Sequence, residues 1–172
     1  MVTLASNTQD VRHKIISTIV NCELEILKPR SIVLKNDVRE VTQLDAFVKD
    51  TCSAIHLDEA TATNVCLAVE EAAVNVMHYA YPEGTKGEIR IEAIVIDGKM
   101  TFEIRDDGKP FDPTVAAQPD ITLSAKQRPI GGLGIYLIRQ YMDAMSYKRE
   151  NGSNILTLVK TFHYDDDHPD QR

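Results

Sequence analysis

The chain has 172 residues, with 43% hydrophobic and 26% charged side chains, the profile of one globular domain long enough to bury a core. A net charge of −7 excludes a general nucleic-acid binder, because no basic counter-field meets a phosphate backbone. No apolar run approaches the length of a membrane span and no signal peptide is recognisable, so the expected location is cytoplasmic.

Residues 1–30 form a distinct N-terminal extension. Ile15, Ile16, Ile19 and Val20 have helical spacing and predict a short amphipathic helix. Ser31–Leu34 reads as a short strand. Asp37 is placed to cap a helix running to about Ile55, with Val41, Leu44, Phe47 and Val48 on its apolar face. Asp58 caps a second helix reaching about Tyr81, where Pro82 and Gly84 end it. Two β-rich runs follow, 88–96 and 99–105, joined by Asp97-Gly98, a hairpin signal. Residues 107–130 hold four prolines and little periodicity, and read mostly as loop. A glycine turn then opens a helix to about Ala144. Strands at 146–150 and 154–162, turning at Asn151-Gly152, close the domain, and an acidic tail (164–172) follows. Cys22, Cys52 and Cys66 lack metal-ligand spacing and read as neutral thiols of a reducing compartment.

Hairpins imply antiparallel pairing and argue against a doubly wound parallel sheet. The expected fold is α+β, a two-layer sandwich of a mostly antiparallel sheet with helices on one face, over residues 31–163.

Three constellations carry chemistry. On the second helix, Val65, Val69, Ala72, Val76 and Ala80 share the apolar face, while Asn64, Glu71, Asn75 and His78 share another. That polar stripe fits a solvated face. However, Asn is a poor helix-interior residue, and Glu71 and Asn75 stand one turn apart. A carboxylate and an amide oxygen at that spacing suit a hard cation such as Mg²⁺, or a general base beside a metal ligand.

The second constellation is Asp106-Asp107-Gly108 after a strand. Asp106 can accept from an exocyclic amine such as that of adenine, and Gly108 lets the backbone approach a flat ring. A plain surface turn is the alternative. The third is Gly131-Gly132-Leu133-Gly134, holding three of the eight glycines of the chain and opening a helix. Backbone N–H groups exposed there, at the positive end of a helix dipole, suit an anion such as phosphate.

In this order, the strings Ala68-Val-Glu-Glu-Ala-Ala-Val-Asn75, Asp106-Asp-Gly-Lys-Pro-Phe-Asp-Pro113 and Arg128-Pro-Ile-Gly-Gly-Leu-Gly-Ile135 resemble the ATP-binding (Bergerat-type) fold of gyrase, Hsp90, histidine kinases and MutL. Within it the chain is similar to the small bacterial anti-sigma-factor serine/threonine kinases. The resemblance covers about residues 31–162. It implies that Asn75 binds the Mg²⁺ bridging the ATP phosphates and that Glu71 is the base for the acceptor hydroxyl. It implies that Asp106 reads the adenine amine, that Gly108 gives the ring room, and that Gly131, Gly132, Leu133 and Gly134 wrap the phosphates. A lid over the nucleotide is expected from about Thr114 to Ile130. Arg128 and Arg139 are long enough to reach phosphates, although Arg139 equally fits a solvated helix position. The family often has His four residues after the metal-binding Asn. Here that position is Tyr79, with His78 before it, so His78 is expected to pack or face solvent.

The implied activity is that of a protein serine/threonine kinase. The resemblance further implies phosphorylation of a STAS-type anti-anti-sigma partner, a sigma factor as a further partner and a homodimer as the assembly. A module that binds ATP only to shape a docking surface is the alternative.

Overall fold

The computed structural model describes residues 28–115 and 133–163. The expected N-terminal helix, Cys22, most of the expected lid, Arg128, Gly131, Gly132 and the acidic tail lie outside these residues.

In chain order the elements are β1 (Arg30–Lys35), α1 (Val41–Ala54), α2 (Glu59–Tyr79), β2 (Glu88–Ile96), β3 (Lys99–Asp106), α3 (Leu133–Tyr141), β4 (Ala144–Glu150) and β5 (Ser153–Thr161). The strands form one sheet in the order β1-β2-β3-β5-β4, and every neighbouring pair is antiparallel. With the helices layered on the sheet this is the expected α+β sandwich.

Local chemistry explains most boundaries. Both hairpin turns have two consecutive residues with positive φ, Asp97 (49°) with Gly98 (69°) and Asn151 (51°) with Gly152 (87°). That backbone fits the right-handed strand twist and is open mainly to Asn, Asp and Gly. Asp58 caps α2 by accepting from the Thr61 amide at 2.9 Å.

Two helix boundaries differ from expectation by about three residues. Asp37 caps only a single 3₁₀ turn, Val38–Glu40, and the α-helix starts at Val41. Its carboxylate accepts from the Arg39 amide, two residues on, which tightens the turn. The Arg39 guanidinium pairs with that carboxylate and holds it down at about 2. Helix α3 stops at Tyr141 instead of Ala144. Beyond it the Asp143 amide donates to the Val159 carbonyl at 2.9 Å, and the Asp143 carboxylate accepts from the Thr161 amide at 2.7 Å. The chain is thereby drawn into the sheet, and Ala144 begins β4.

Alternation along the strands sends Ile89, Ile91, Met100, Phe102, Ile104 and Leu158 to the helix-covered face, where all are buried. They meet Leu44 and Val48 of α1, Val65 and Val69 of α2, and Ile138 of α3. Burying each such side chain contributes about 1.5–3 kcal/mol. Helix α2 is buried on more than one side: Cys66, Ala68, Ala73 and Met77 join the expected apolar face, because α1 and α3 both pack against it. Cys52 and Cys66 are free, buried thiols, as expected of cysteines without metal spacing.

Candidate functional site

A cavity of about 390 Å³ lies between α2, the end of β3, α3 and the β4–β5 hairpin. Its wall is largely apolar, with Ala72, Val76, Ile104, Ile135, Ile138 and Leu156, and it carries Asn75, Asp106 and Asn154 as polar groups. An apolar cleft with a few placed polar groups is the usual build of a small-molecule site.

Asp106 is the last residue of β3 and is only 5% exposed. Its Oδ1 accepts from the Gly108 amide at 2.8 Å and from Nδ2 of Asn154 at 2.9 Å. Among the described residues both of these bonds fall on Oδ1. Burial pushes the carboxyl above its ordinary range, and the bonds from Asn154 and Gly108 oppose that shift.

Gly108 meets backbone on the side where a Cβ would stand. A Cβ on this residue would meet the backbone of Ala80, 2.5 Å from its carbonyl oxygen. The glycine therefore allows the loop after β3 to lie against the end of α2. The Lys109 amide fastens the same contact with a 2.8 Å bond to the Ala80 carbonyl. Tyr81 adds a second tie: its hydroxyl donates to the Glu88 carbonyl at 2.9 Å and accepts from the Asp107 amide at 3.2 Å.

Glu71 and Asn75 are half-buried on α2, whereas His78 is exposed. The polar stripe is thus split. Its middle turns toward α3, and its end faces water. The two side chains converge on Gly134, in the first turn of α3. A Cβ there would collide with Oε2 of Glu71 and lie 3.4 Å from Nδ2 of Asn75. Burial raises the Glu71 carboxyl above the usual glutamate range, and the charge of Glu70 raises it further. Leu133 begins α3 and is half exposed.

Arg139 is not a solvated helix residue. Its guanidinium donates to the carbonyls of Pro113 (3.2 Å) and Thr114 (2.9 Å), joining α3 to the segment after β3.

Asn154 was not among the expected site residues. It is 5% exposed, pairs in register with Asp106, and fixes the carboxylate that the sequence singled out. An Asn within a strand was the available signal. It is the first residue of the expected strand, however, next to the Asn151-Gly152 turn, where an Asn draws no attention.

The donor set fits the groups implied. An apolar cleft with one buried carboxylate suits an adenine ring. No cluster of three or more His, Cys, Asp or Glu that could hold a metal occurs among the described residues. Mg²⁺ does not need one, since it commonly takes one or two protein oxygens and completes its shell with phosphates and water.

The family model for the histidine kinase-like ATPase domain matches residues 34–160, which contain every one of these described site residues. The chain belongs to this family. Two curated relatives are serine/threonine-protein kinase BtrW of Bordetella bronchiseptica, 34% identical over 93 residues, and serine-protein kinase RsbW of Listeria monocytogenes, 30% identical over 94. These alignments span 54% and 52% of this chain, and 66% and 60% of the relatives. The fold is shared with part of a solved structure of the RsbU and RsbW domains of a Mycobacterium tuberculosis protein, at a TM-score of 0.54 and 14% identity, over 80% of this chain and 34% of the other. No helix among the described residues is long and apolar enough to cross a membrane.

Proposed function

We propose that this domain binds Mg–ATP in the cavity and transfers the terminal phosphoryl group to a serine or threonine of a STAS-type anti-anti-sigma protein. It does so in a partner-switching pathway, as a cytoplasmic homodimer that also holds a sigma factor. The observation that carries the reading is the convergence of Glu71 and Asn75 on the first turn of α3, next to a cavity whose far side holds Asp106. The kinase names of the BtrW and RsbW relatives support the same activity.

Each residue has a separable task. Oδ2 of Asp106 accepts the adenine amine. The Asn75 amide oxygen would hold Mg²⁺, which when bound would neutralise phosphate charge. Leu133 and Gly134, with Gly131, Gly132 and Arg128 before them, supply backbone donors and positive charge to the phosphates. Glu71 orients the incoming hydroxyl and takes its proton. Its raised proton affinity suits that role, because a base works best with a pKa close to the working pH. Phosphoryl transfer asks for positioning and charge neutralisation more than for covalent chemistry, and this set provides both.

The test is initial-rate transfer of labelled phosphate from saturating ATP to a STAS protein. Glu71→Gln is expected to keep ATP and partner binding and to lose about 10²–10⁴ in rate. Glu70→Gln, about 100° away around the helix, keeps most of the rate. Equal rates for Glu71→Gln and the wild type would sink the kinase reading. Partner binding without any transfer by the wild type would leave a docking module that uses ATP only to set its shape.

A further inference from the structure

The register of the sheet aligns Leu34, Ile89, Asp106, Asn154 and Arg149 in one row across all five strands. The row begins in the core and ends in a cation on the edge strand β4. Its last three members are joined by hydrogen bonds. Oδ1 of Asn154 accepts from the Arg149 guanidinium at 2.6 Å and from the Tyr147 hydroxyl at 2.8 Å. Nδ2 of Asn154 donates to Asp106 at 2.9 Å and to the Lys109 carbonyl at 3.0 Å. The same guanidinium nitrogen donates to the Gly108 carbonyl at 3.1 Å.

A guanidinium can only donate and an ionised carboxylate can only accept. The amide between them therefore has one possible orientation, and it is polarised by opposite charges at its two ends. We propose that Arg149 is a positioning residue for nucleobase recognition: acting through the Asn154 amide and the Gly108 carbonyl, it holds Asp106 as an ionised acceptor for an exocyclic amine. The inference rests on the proposed adenine-reading role of Asp106.

The surroundings of Asp106 give Arg149 this importance. Burial and the neighbouring Asp107 both favour the protonated carboxyl, while Asn154, Gly108 and Arg149 oppose it. The other titratable groups about the loop are Tyr81 at the end of α2, Tyr147 on β4 and Lys109, which lines the cavity. From α3 the wall is apolar, through Ile135 and Ile138. A protonated Asp106 can present a hydroxyl where the adenine amine needs an acceptor. Arg149 itself is exposed, so replacing it opens no core.

The experiment compares two metal-free nucleotides by calorimetry: ADP, and purine riboside diphosphate, which lacks the exocyclic amine. The wild type is expected to prefer ADP by about tenfold or more. Arg149→Met is expected to erase most of that preference, more completely at acidic than at neutral pH, with little change in the affinity for purine riboside diphosphate. Arg149→Lys restores the preference by returning a cationic donor. Tyr147→Phe, which leaves the guanidinium in place, retains it. If the wild type does not discriminate, the adenine-reading role of Asp106 itself fails. If the wild type discriminates and Arg149→Met does so equally, or weakens both nucleotides alike, the role of Asp106 stands and that of Arg149 is overturned.

Discussion

Gly108 rests its Cα side against the carbonyl of Ala80, so that the loop after β3 and the end of α2 meet backbone to backbone. Backbone cannot rotate aside as a flexible side chain can. Gly108→Ala is therefore expected to cost about 1–3 kcal/mol of stability through overpacking. It should also push Asp106 out of place and weaken ATP binding. Urea denaturation and calorimetry on the same variant measure both, and an unchanged midpoint would contradict the packing.

Asp106→Asn separates fold from binding. The new amide oxygen can accept the same two bonds from Gly108 and Asn154 that Oδ1 accepts now. Its NH₂ group takes the place of Oδ2 and, on the proposed reading, meets the adenine amine donor to donor, a mismatch of about 1–3 kcal/mol in ATP affinity. Stability should move the other way. Because burial raises the Asp106 carboxyl above its unfolded value, the folded state holds that proton more tightly. Ionisation therefore costs stability as pH rises from the unfolded pKa through the folded one. At neutral pH the variant is expected to be as stable as the wild type or more so, and thermal melts across acidic and neutral pH would reveal the missing slope.

Asn75→Ala is expected to weaken Mg–ATP by about 1.5–3 kcal/mol and metal-free ATP far less. Titrations with and without Mg²⁺ give the two values. Equal losses would remove Asn75 from the metal shell.

Gly134→Ala tests the closeness of α3 to the proposed base. The atom that its methyl group would meet is the end of the Glu71 side chain, which can swing away at little cost. Alanine also favours the helix by up to about 1 kcal/mol. The variant is thus expected to fold at least as well as the wild type while transfer falls, because Glu71 has left its place. A normal transfer rate would show that Glu71 does not act from this position.

The pH–rate profile of transfer carries the signature of Glu71. Its acid limb is expected above the ordinary glutamate range, since burial and then Glu70 raise the carboxyl. Glu70→Gln removes the second cause only. The limb should move to lower pH in that variant, with the plateau rate kept.

The sequence makes the hairpins and the ends of α2 readable because those features depend on neighbouring residues alone. Asp97-Gly98 and Asn151-Gly152 adopt positive φ as their chemistry demands, and Asp58 caps the helix it precedes. Glu71 and Asn75 are equally local, one turn apart on a helix. What the sequence hides is what the sheet brings together. Asn154 lies 48 residues from Asp106, and its spot beside a turn masks its burial. The same holds for Arg139, whose partners Pro113 and Thr114 precede it by more than twenty residues. Gly108 shows a subtler limit: a glycine announces a close approach, and only the fold tells which neighbour approaches.

The pairing of β3 with β5 has a consequence for how the domain assembles. The β2–β3 and β4–β5 hairpins each close over two turn residues and can form early and independently. The seam between them joins segments far apart in the chain and must bear the loop-closure entropy of everything in between. Asp106 and Asn154 face each other at the end of that seam where β3 runs out and β5 begins. On the proposed reading, a binding-competent carboxylate exists only after the two halves have met, and a nascent chain that has made β3 but not β5 holds half of the Asp106–Asn154 pair. Any nucleotide bound at Asp106 draws its binding energy from the closed seam, and by mass action it holds that seam shut against opening.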